Sequence, residues 1–266
     1  MSKIPLDKYY TSKDLAKYIV KKTKNIIGEN NIIEYLEPSA GEGVFLDYLD
    51  KPYLAYDIEP ENNGIIKQDF LELNLEYKQG RCIIGNPPFG VHNYTSVKFY
   101  KKSIQLGDYI AFILPISQLN NNIYMYEFDL IYSEDLGKRN YSGISIHCCF
   151  NIYKRNPIGL NKKPNYDLKD VELRTVNRGK SRNDKIPEKY DFSISGYGAS
   201  CGKICECENE YCQQIYFIIH NKEFKDRIVE LMKNTNWKNI CNSTASPKLK
   251  HWIINKYIKE QIPQIK

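Results

Sequence analysis

The sequence predicts an α/β fold: a doubly wound parallel sheet followed by a smaller α+β module. Three observations lead there. Through the first 155 residues, short apolar runs alternate with glycine turns and amphipathic stretches, the grammar of strand, crossover and parallel strand. From residue 155 to 189 the text becomes polar and is broken by Pro157, Pro164 and Pro187, which reads as a linker or long loop. The charge divides at the same place. Residues 1–155 carry 18 Lys/Arg against 19 Asp/Glu, a net −1, and residues 156–266 carry 20 against 13, a net +7. Two domains are therefore expected, 1–155 and 156–266, with the positive charge in the second.

The elements follow in order. Residues 12–27 place Leu15, Ala16, Ile19, Val20 and Ile26 near helical spacing, with Ser12 or Thr11 as cap. Residues 32–36 form a short strand-like run ending at Glu37-Pro38, and residues 44–49 read as the start of a helix. Strands are expected at 53–56, 64–66, 81–84 and 109–114, with a helix over 97–106 between the last two. Residues 144–153 are strongly strand-like. Beyond the polar stretch, residues 214–219 predict a strand and residues 223–232 and 247–262 predict helices.

Composition limits the class. A chain of 266 residues with 42% hydrophobic content can bury an ordinary core. No apolar run approaches the roughly 18 residues that span a bilayer, and Met1-Ser2-Lys3-Ile4-Pro5 lacks the apolar centre of a signal peptide. A soluble, cytoplasmic protein that does not engage a membrane is expected. Its eight cysteines are then reduced thiols. Cys201, Cys205, Cys207 and Cys212 lack the paired C-x2-C knuckles of a zinc site, so they read as small, partly buried side chains and no metal is expected.

The most informative residues are Gly85-Asn86-Pro87-Pro88-Phe89-Gly90, directly after the apolar run Cys82-Ile83-Ile84. Two prolines fix φ and remove two backbone donors, which leaves stiff, outward-pointing carbonyl acceptors. Asn86 adds a side-chain carbonyl and Phe89 a face on which a base could stack. An NH2 group held between two acceptors keeps its lone pair free to attack. Upstream, Glu37-Pro38-Ser39-Ala40-Gly41-Glu42-Gly43 sits where the first strand leaves the sheet, and its glycines let backbone close on a nucleotide-like ligand. It is not the G-x-G-x-x-G of a dinucleotide site. Asp57, just past the second strand, is placed to accept ribose hydroxyls. Asp69-Phe70, after the third, offers a carboxylate for an exocyclic amine beside an aromatic face.

With these motifs in this order, residues 8–155 resemble the S-adenosylmethionine-dependent adenine-N6 DNA methyltransferases, specifically the gamma-type group with cofactor motifs first and target recognition last. The resemblance implies a Rossmann-like methyltransferase sheet. Lys8-Tyr9-Tyr10-Thr11-Ser12 resembles the segment that folds over the cofactor, with Ser12 where the family commonly has proline. By resemblance, Tyr10, Thr11, Glu37, Pro38, Ala40, Gly41, Gly43, Asp57, Ile58, Asp69, Phe70 and Asn86 bind S-adenosyl-L-methionine, and Asn86, Pro87, Pro88 and Phe89 form the catalytic motif. Ile110-Ala111-Phe112-Ile113-Leu114-Pro115 resembles the family's later strand. Only about fifteen residues separate Asp69 from Asn86, so target recognition is expected after the catalytic core, in the basic module.

The implied reaction is methylation of N6 on an adenine flipped out of double-stranded DNA. His92 reads as a loop histidine rather than a base, since the amine attacks without prior deprotonation. Tyr94 and Tyr141 are candidate walls of a base pocket. In the basic module Arg174, Arg178, Lys180 and Arg182 suit phosphate or base-edge contact, or belong to a solvated linker. Lys248 and Lys250 lie near a predicted helix start, where free amides favour phosphate. An RNA or protein-glutamine methyltransferase with the same Asn-Pro-Pro-Phe site, or a non-catalytic nucleic-acid-binding module, are the alternatives. Asp170-Val171-Glu172 is too isolated for a nuclease centre, so any partner restriction endonuclease is expected as a separate chain. A monomer is expected, in a bacterial cell or an infected host cell.

Overall fold

The structure is a computed structural model that describes residues 10–141, 144–179, 182–208, 210–241 and 247–266, with backbone alone at 141, 144, 182 and 183. The chain forms two compact units, Met1–Pro164 and Asn165–Lys266.

The first unit is built on a seven-stranded sheet. Strands β1 (Glu34–Glu37), β2 (Tyr53–Asp57), β3 (Ile66–Lys67), β4 (Arg81–Gly85) and β5 (Tyr109–Pro115) run parallel, while β6 (Asp129–Tyr141) and β7 (Ile144–Lys154) form an antiparallel hairpin. Their spatial order is β3-β2-β1-β4-β5-β7-β6, with β7 antiparallel to β5. Side-chain alternation explains how both faces are covered. Cys82, Ile84, Ala111 and Ile113 face one way, into a core with Leu15, Ala16, Ile19 and Val20 of helix α1 (Lys13–Ile27). Ile83, Ile110, Phe112 and Leu114 face the other way, onto Phe99 and Tyr100 of helix α2 (Tyr94–Ser103). Ser12 caps α1, accepting from Leu15 N at 3.4 Å, and Asp14 complements the dipole of the first turn.

One sequence expectation in this unit is corrected, and one strand is added. Residues 44–49 form only a 3-10 turn, Leu46–Tyr48. Gly43 holds a left-handed backbone (φ 83°), and Leu49 is already extended ahead of β2, so no second helical turn fits. Strand β6 was not legible. Asp129, Glu134, Asp135, Lys138 and Arg139 give it a polar text, and its register shifts at Leu130/Tyr132 and Asp135/Gly137. Both features belong to an edge strand, where charges and bulges discourage pairing with another chain. Residues 156–164 stay with this unit. Asn161 donates through N to Glu127 O (2.9 Å) and through Nδ2 to Asp129 Oδ1 (2.8 Å), while Asn156 Nδ2 donates to Asp129 Oδ2.

The second unit is an antiparallel sheet of β8 (Val171–Gly179), β9 (Arg182–Asn183), β10 (Phe192–Ser195) and β11 (Gln213–Ile219), ordered β10-β11-β8-β9. Ile194, Ile215, Phe217 and Ile219 form one core with side chains from three helices, α3 (Lys225–Asn234), α4 (Trp237–Ile240) and α5 (His251–Gln261). The expected linker therefore contains strand β8. Val171 and Leu173 alternate with Glu172 and Arg174, and β11 pairs with it from Ile219↔Val171 to Gln213↔Asn177. Cys201 is buried with its Sγ 3.9 Å from that of Cys241, Cys205 is half-buried, and Cys207 and Cys212 are exposed.

Candidate active site

The first unit's chain runs outward from β1 through β2 to β3, then returns to β4 and continues to β5. Strands β1 and β4 thus flank the point where strand order reverses, and loops leaving their carboxyl ends diverge to open a crevice. A cleft of about 710 Å³, counted to its open mouth, lies there, lined by residues that include Glu37, Ser39, Ala40, Gly41, Asp57, Ile58, Asn86 and Pro88.

Backbone hydrogen bonds hold the cleft's loops in place. Ala40 N donates to Tyr56 O (2.9 Å), Gly43 N to Ala40 O (2.7 Å), and Glu61 N to Gly41 O (3.0 Å). Asp57 accepts from Gly41 N through Oδ2 (2.7 Å) and from Glu59 N through Oδ1 (2.8 Å). Each carboxylate oxygen has a second lone pair, so a pair of ligand hydroxyls can still be received. Across the mouth, Tyr10 donates from its hydroxyl to Glu61 Oε1 at 2.6 Å.

The catalytic candidates are fixed from both sides. Asn86 Nδ2 donates to Thr11 Oγ1 (3.2 Å), which orients the side-chain amide, and Ser39 Oγ donates to the Asn86 carbonyl (3.3 Å). Pro87 is buried and Pro88 lines the cleft. Phe89 is 5% exposed, and its ring belongs to the core around α1 rather than to an open wall. Its carbonyl accepts from Ser96 Oγ at 3.3 Å. Gly90 turns the chain into the next segment with φ 68°, where a Cβ would meet Thr95 Oγ1 at 2.2 Å.

Electrostatics restrict what the cleft can hold. Among the described residues, its lining includes the carboxyl groups of Glu37, Glu42, Asp57 and Glu61 and no Lys, Arg or His. Glu37 is 1% exposed, and its Oε2 has no hydrogen-bond partner among the described residues. Burial first, and the neighbouring Asp57 second, push its carboxyl well above the usual carboxylate range. Such a site disfavours a pyrophosphate and favours a ligand with a positive charge. Size, paired acceptors at Asp57, and the lone buried carboxyl of Glu37 together fit a cationic nucleoside such as S-adenosylmethionine.

Some predicted residues are not brought to this cleft. Asp69 accepts from Leu71 N (2.8 Å) as the cap of a 3-10 turn, Phe70–Glu72. Phe70 is 1% exposed, packed on Phe99 with ring centroids 5.2 Å apart. Neither is among the lining residues. Pro38 and Gly43 shape the loop from behind it. His92 lies on the exposed turn with φ 54°. Tyr94 is exposed, with Lys98 Nζ 4.5 Å from its ring centroid, and the side chain of Tyr141 lies outside the described residues. Ser39, Glu42, Val44, Phe45 and Glu61 also line the cleft and were not singled out from sequence. The acidic run Asp57-Ile58-Glu59-Pro60-Glu61 was the available signal for Glu61.

No protein-family model matches the chain. A Type II methyltransferase, M.CvrRI, from Paramecium bursaria Chlorella virus XZ-6E is 26% identical over 189 residues, which cover 56% of this chain and 48% of that protein. The chain thus spans about half the length of that relative. The chain resembles S-adenosylmethionine-dependent DNA methyltransferases. Its sheet, parallel through β5 and closed by the antiparallel β7, is a Rossmann-like methyltransferase sheet. Solved structures with similar folds include a type I restriction-modification system methyltransferase subunit from Streptococcus thermophilus (13% identity, 66% of this chain and 50% of that one, TM-score 0.43). A 23S rRNA methyltransferase shares 12% identity over 58% of this chain and 72% of that one, with TM-score 0.43. Magnesium protoporphyrin IX methyltransferase from Synechocystis PCC 6803, with S-adenosylmethionine bound, shares 9% identity over 54% of this chain and 79% of that one, with TM-score 0.36.

In the second unit the basic candidates lie as follows. Arg174, on β8, pairs through Nε with Glu172 Oε1 at 2.6 Å. Arg178 is on the same strand and half-buried. Lys180 lies outside the described residues, as does the side chain of Arg182. Lys248 and Lys250 are exposed and precede α5, which begins at His251, so they flank the helix instead of forming its first turn. Among the described residues no helix is long and apolar enough to cross a membrane.

Proposed function

We propose that the first unit binds S-adenosylmethionine and transfers its methyl group to N6 of an adenine swung out of double-stranded DNA, and that the second unit recognises the target sequence. The observation that carries this reading is the Asn86-Pro87-Pro88 turn, anchored by Thr11 and Ser39 on the wall of an acidic cleft.

Glu37, Ala40, Gly41, Asp57 and Ile58, with Tyr10 and Thr11 at the mouth, are the residues that would hold the cofactor. The cofactor supplies an electrophilic methyl group. The protein's contribution is placement. Asn86 Oδ1 and the Pro87 carbonyl accept the two N6 hydrogens, which draws the nitrogen towards tetrahedral geometry and localises its lone pair. No general base is needed before attack, and the N6 proton is lost afterwards. Flipping the base costs a few kcal/mol. With Phe89 packed in the core, stacking on that ring requires the turn to shift when the base enters. The basic balance of residues 156–266 supports contact with a polyanion. Work as a monomer in the cytoplasm, in a restriction-modification setting with any endonuclease on a separate chain, belongs to the same reading.

Tritiated methyl transfer to DNA, RNA and protein, with Asn86→Ala as control, tests it. Label is expected on DNA, as N6-methyladenine, and lost in the variant. Label on RNA or protein alone overturns the DNA assignment.

A further inference from the structure

The residue that the transfer chemistry above leaves unused is Glu37. It ends the interior strand β1, is 1% exposed, lines the cleft, and has an Oε2 with no hydrogen-bond partner among the described residues. Among the described residues, every charged group that lines the cleft beside it has the same sign: Glu42 from its own loop, Asp57 from β2, and Glu61, which already accepts the Tyr10 hydroxyl. From β4 come only the neutral Asn86 and the backbone of Gly85, where a Cβ would lie 3.5 Å from Glu37 Cγ. The backbone donor at Gly41 is committed to Asp57. Among the described residues that line the cleft, no cation offsets ionisation of Glu37, and burial penalises it.

A buried acid so placed responds to charge. We propose that Glu37 is neutral in the ligand-free protein and releases its proton when a cationic ligand enters the cleft, so that binding of the positively charged cofactor is coupled to proton release. The step is a simple acid dissociation: the O–H bond of the carboxyl breaks, the electron pair stays on oxygen, the proton passes to solvent, and the carboxylate balances the cation's charge. Burial and Asp57 act on the ligand-free state in the same direction, raising the carboxyl. The coupling makes the cleft select for charge: a neutral ligand of the same shape leaves Glu37 protonated and gains nothing from it.

This inference rests on the proposed use of S-adenosylmethionine, and the experiment separates the two. Calorimetric titration of the full chain with S-adenosylmethionine, at a pH near 6.5 where the cofactor's own amine is already charged, is run in two buffers of different ionisation enthalpy. Wild type is expected to release a large fraction of one proton per cofactor bound, and Glu37→Gln none. In wild type Kd should tighten by up to tenfold per pH unit as pH rises through the range where free Glu37 holds its proton. If Glu37→Gln does not fold, the wild-type proton count and pH slope decide alone. Binding without proton release and with a flat pH dependence overturns this inference and leaves the cofactor reading standing. Proton release undiminished in folded Glu37→Gln also overturns it. Failure of wild type to bind S-adenosylmethionine at all overturns the cofactor reading itself.

Discussion

Replacing Thr11 by Val removes one hydroxyl from a site that is 6% exposed and changes the side chain's shape little. The hydroxyl oxygen is the acceptor for Asn86 Nδ2 at 3.2 Å, and that bond is what tells the amide which end is donor. Without it, the side chain is freer to rotate about χ2, exchanging the carbonyl that should receive an N6 hydrogen for an amino group that repels it. A neutral hydrogen bond of this kind contributes about 0.5–1.5 kcal/mol net. At about 1.36 kcal/mol per tenfold, the transfer rate should fall roughly 2- to 12-fold. Asn86→Ala, which removes the acceptor outright, should cost on the order of 10²–10³, as loss of one preorganised polar group does elsewhere. Single-turnover methyl transfer at saturating cofactor is the suitable assay, because Thr11 also lines the cleft and a change in cofactor affinity then drops out. Thr11→Ser keeps the hydroxyl and should stay within about twofold of wild type. In the Asn86→Ala background Thr11→Val should have no further effect, since the group it orients is gone. A Thr11→Val rate equal to wild type, or a full loss added on top of Asn86→Ala, would refute the claim that Thr11 acts by orienting the amide.

Three further outcomes are expected. Arg81 is buried and donates to Glu34 Oε1 (2.6 Å) and to the carbonyls of Glu76 (2.6 Å) and Leu106 (2.9 Å), while Lys78 Nζ lies 2.6 Å from Glu34 Oε2, so Arg81→Met leaves that carboxylate one cation but strands two carbonyls and should destabilise the first unit by about 1–3 kcal/mol in urea unfolding. An unchanged urea midpoint would count against stranded acceptors as the cause. Gly90→Ala places a Cβ 2.2 Å from Thr95 Oγ1 and 3.0 Å from Thr95 N at a left-handed φ, so it should lower stability by at least about 1–2 kcal/mol; an unchanged Tm would contradict the turn's geometry. Burial raises the Asp191 carboxyl, but donation from Lys222, Ile219 N and Lys225 outweighs it and holds the group below its ordinary value. A depressed folded-state pKa contributes stability that is present above about pH 4 and lost as pH falls through the folded value, so acid unfolding of the second unit should begin near pH 4, and Asp191→Asn should flatten that part of its stability curve.

The parallel strands were legible because their signal is local. Cys82-Ile83-Ile84 and Ile110-Ala111-Phe112-Ile113-Leu114 are continuous apolar runs, as strands buried on both faces must be, and the structure fills both faces. Strands β6 and β8 carry a different text because each owes its place to pairing. Asp129 to Tyr141 is held by eleven residue pairs with β7, and Val171 to Asn177 by seven with β11. Their alternating charged residues are compatible with an edge or half-solvated position, which periodicity alone cannot distinguish from a polar loop. The six-residue stretch at 44–49 failed the other way: its apolar residues suggest a helix, but they are consumed in closing a crossover.

The site divides along the same line. Glu37, Asp57 and Asn86 each follow a readable strand, so their arrival at one crevice follows from strand order. Phe70 and Phe89 are different. An aromatic residue beside a polar motif has two uses, a stacking face or a core anchor, and only burial tells them apart; here both rings are in the core. The cleft's sign was hidden for a further reason. Residue by residue, Glu37, Glu42, Asp57 and Glu61 are scattered acids in a nearly neutral 155-residue stretch. Only their convergence, with no basic side chain on the lining among the described residues, makes the crevice a place where positive charge is stabilised. A reagent that is cationic before it reacts suits such a site, and in the proposed reaction transfer of a methyl group from a sulfonium removes that charge. The attraction that assembles the complex is then weaker once the reaction is done, which favours release of product over rebinding.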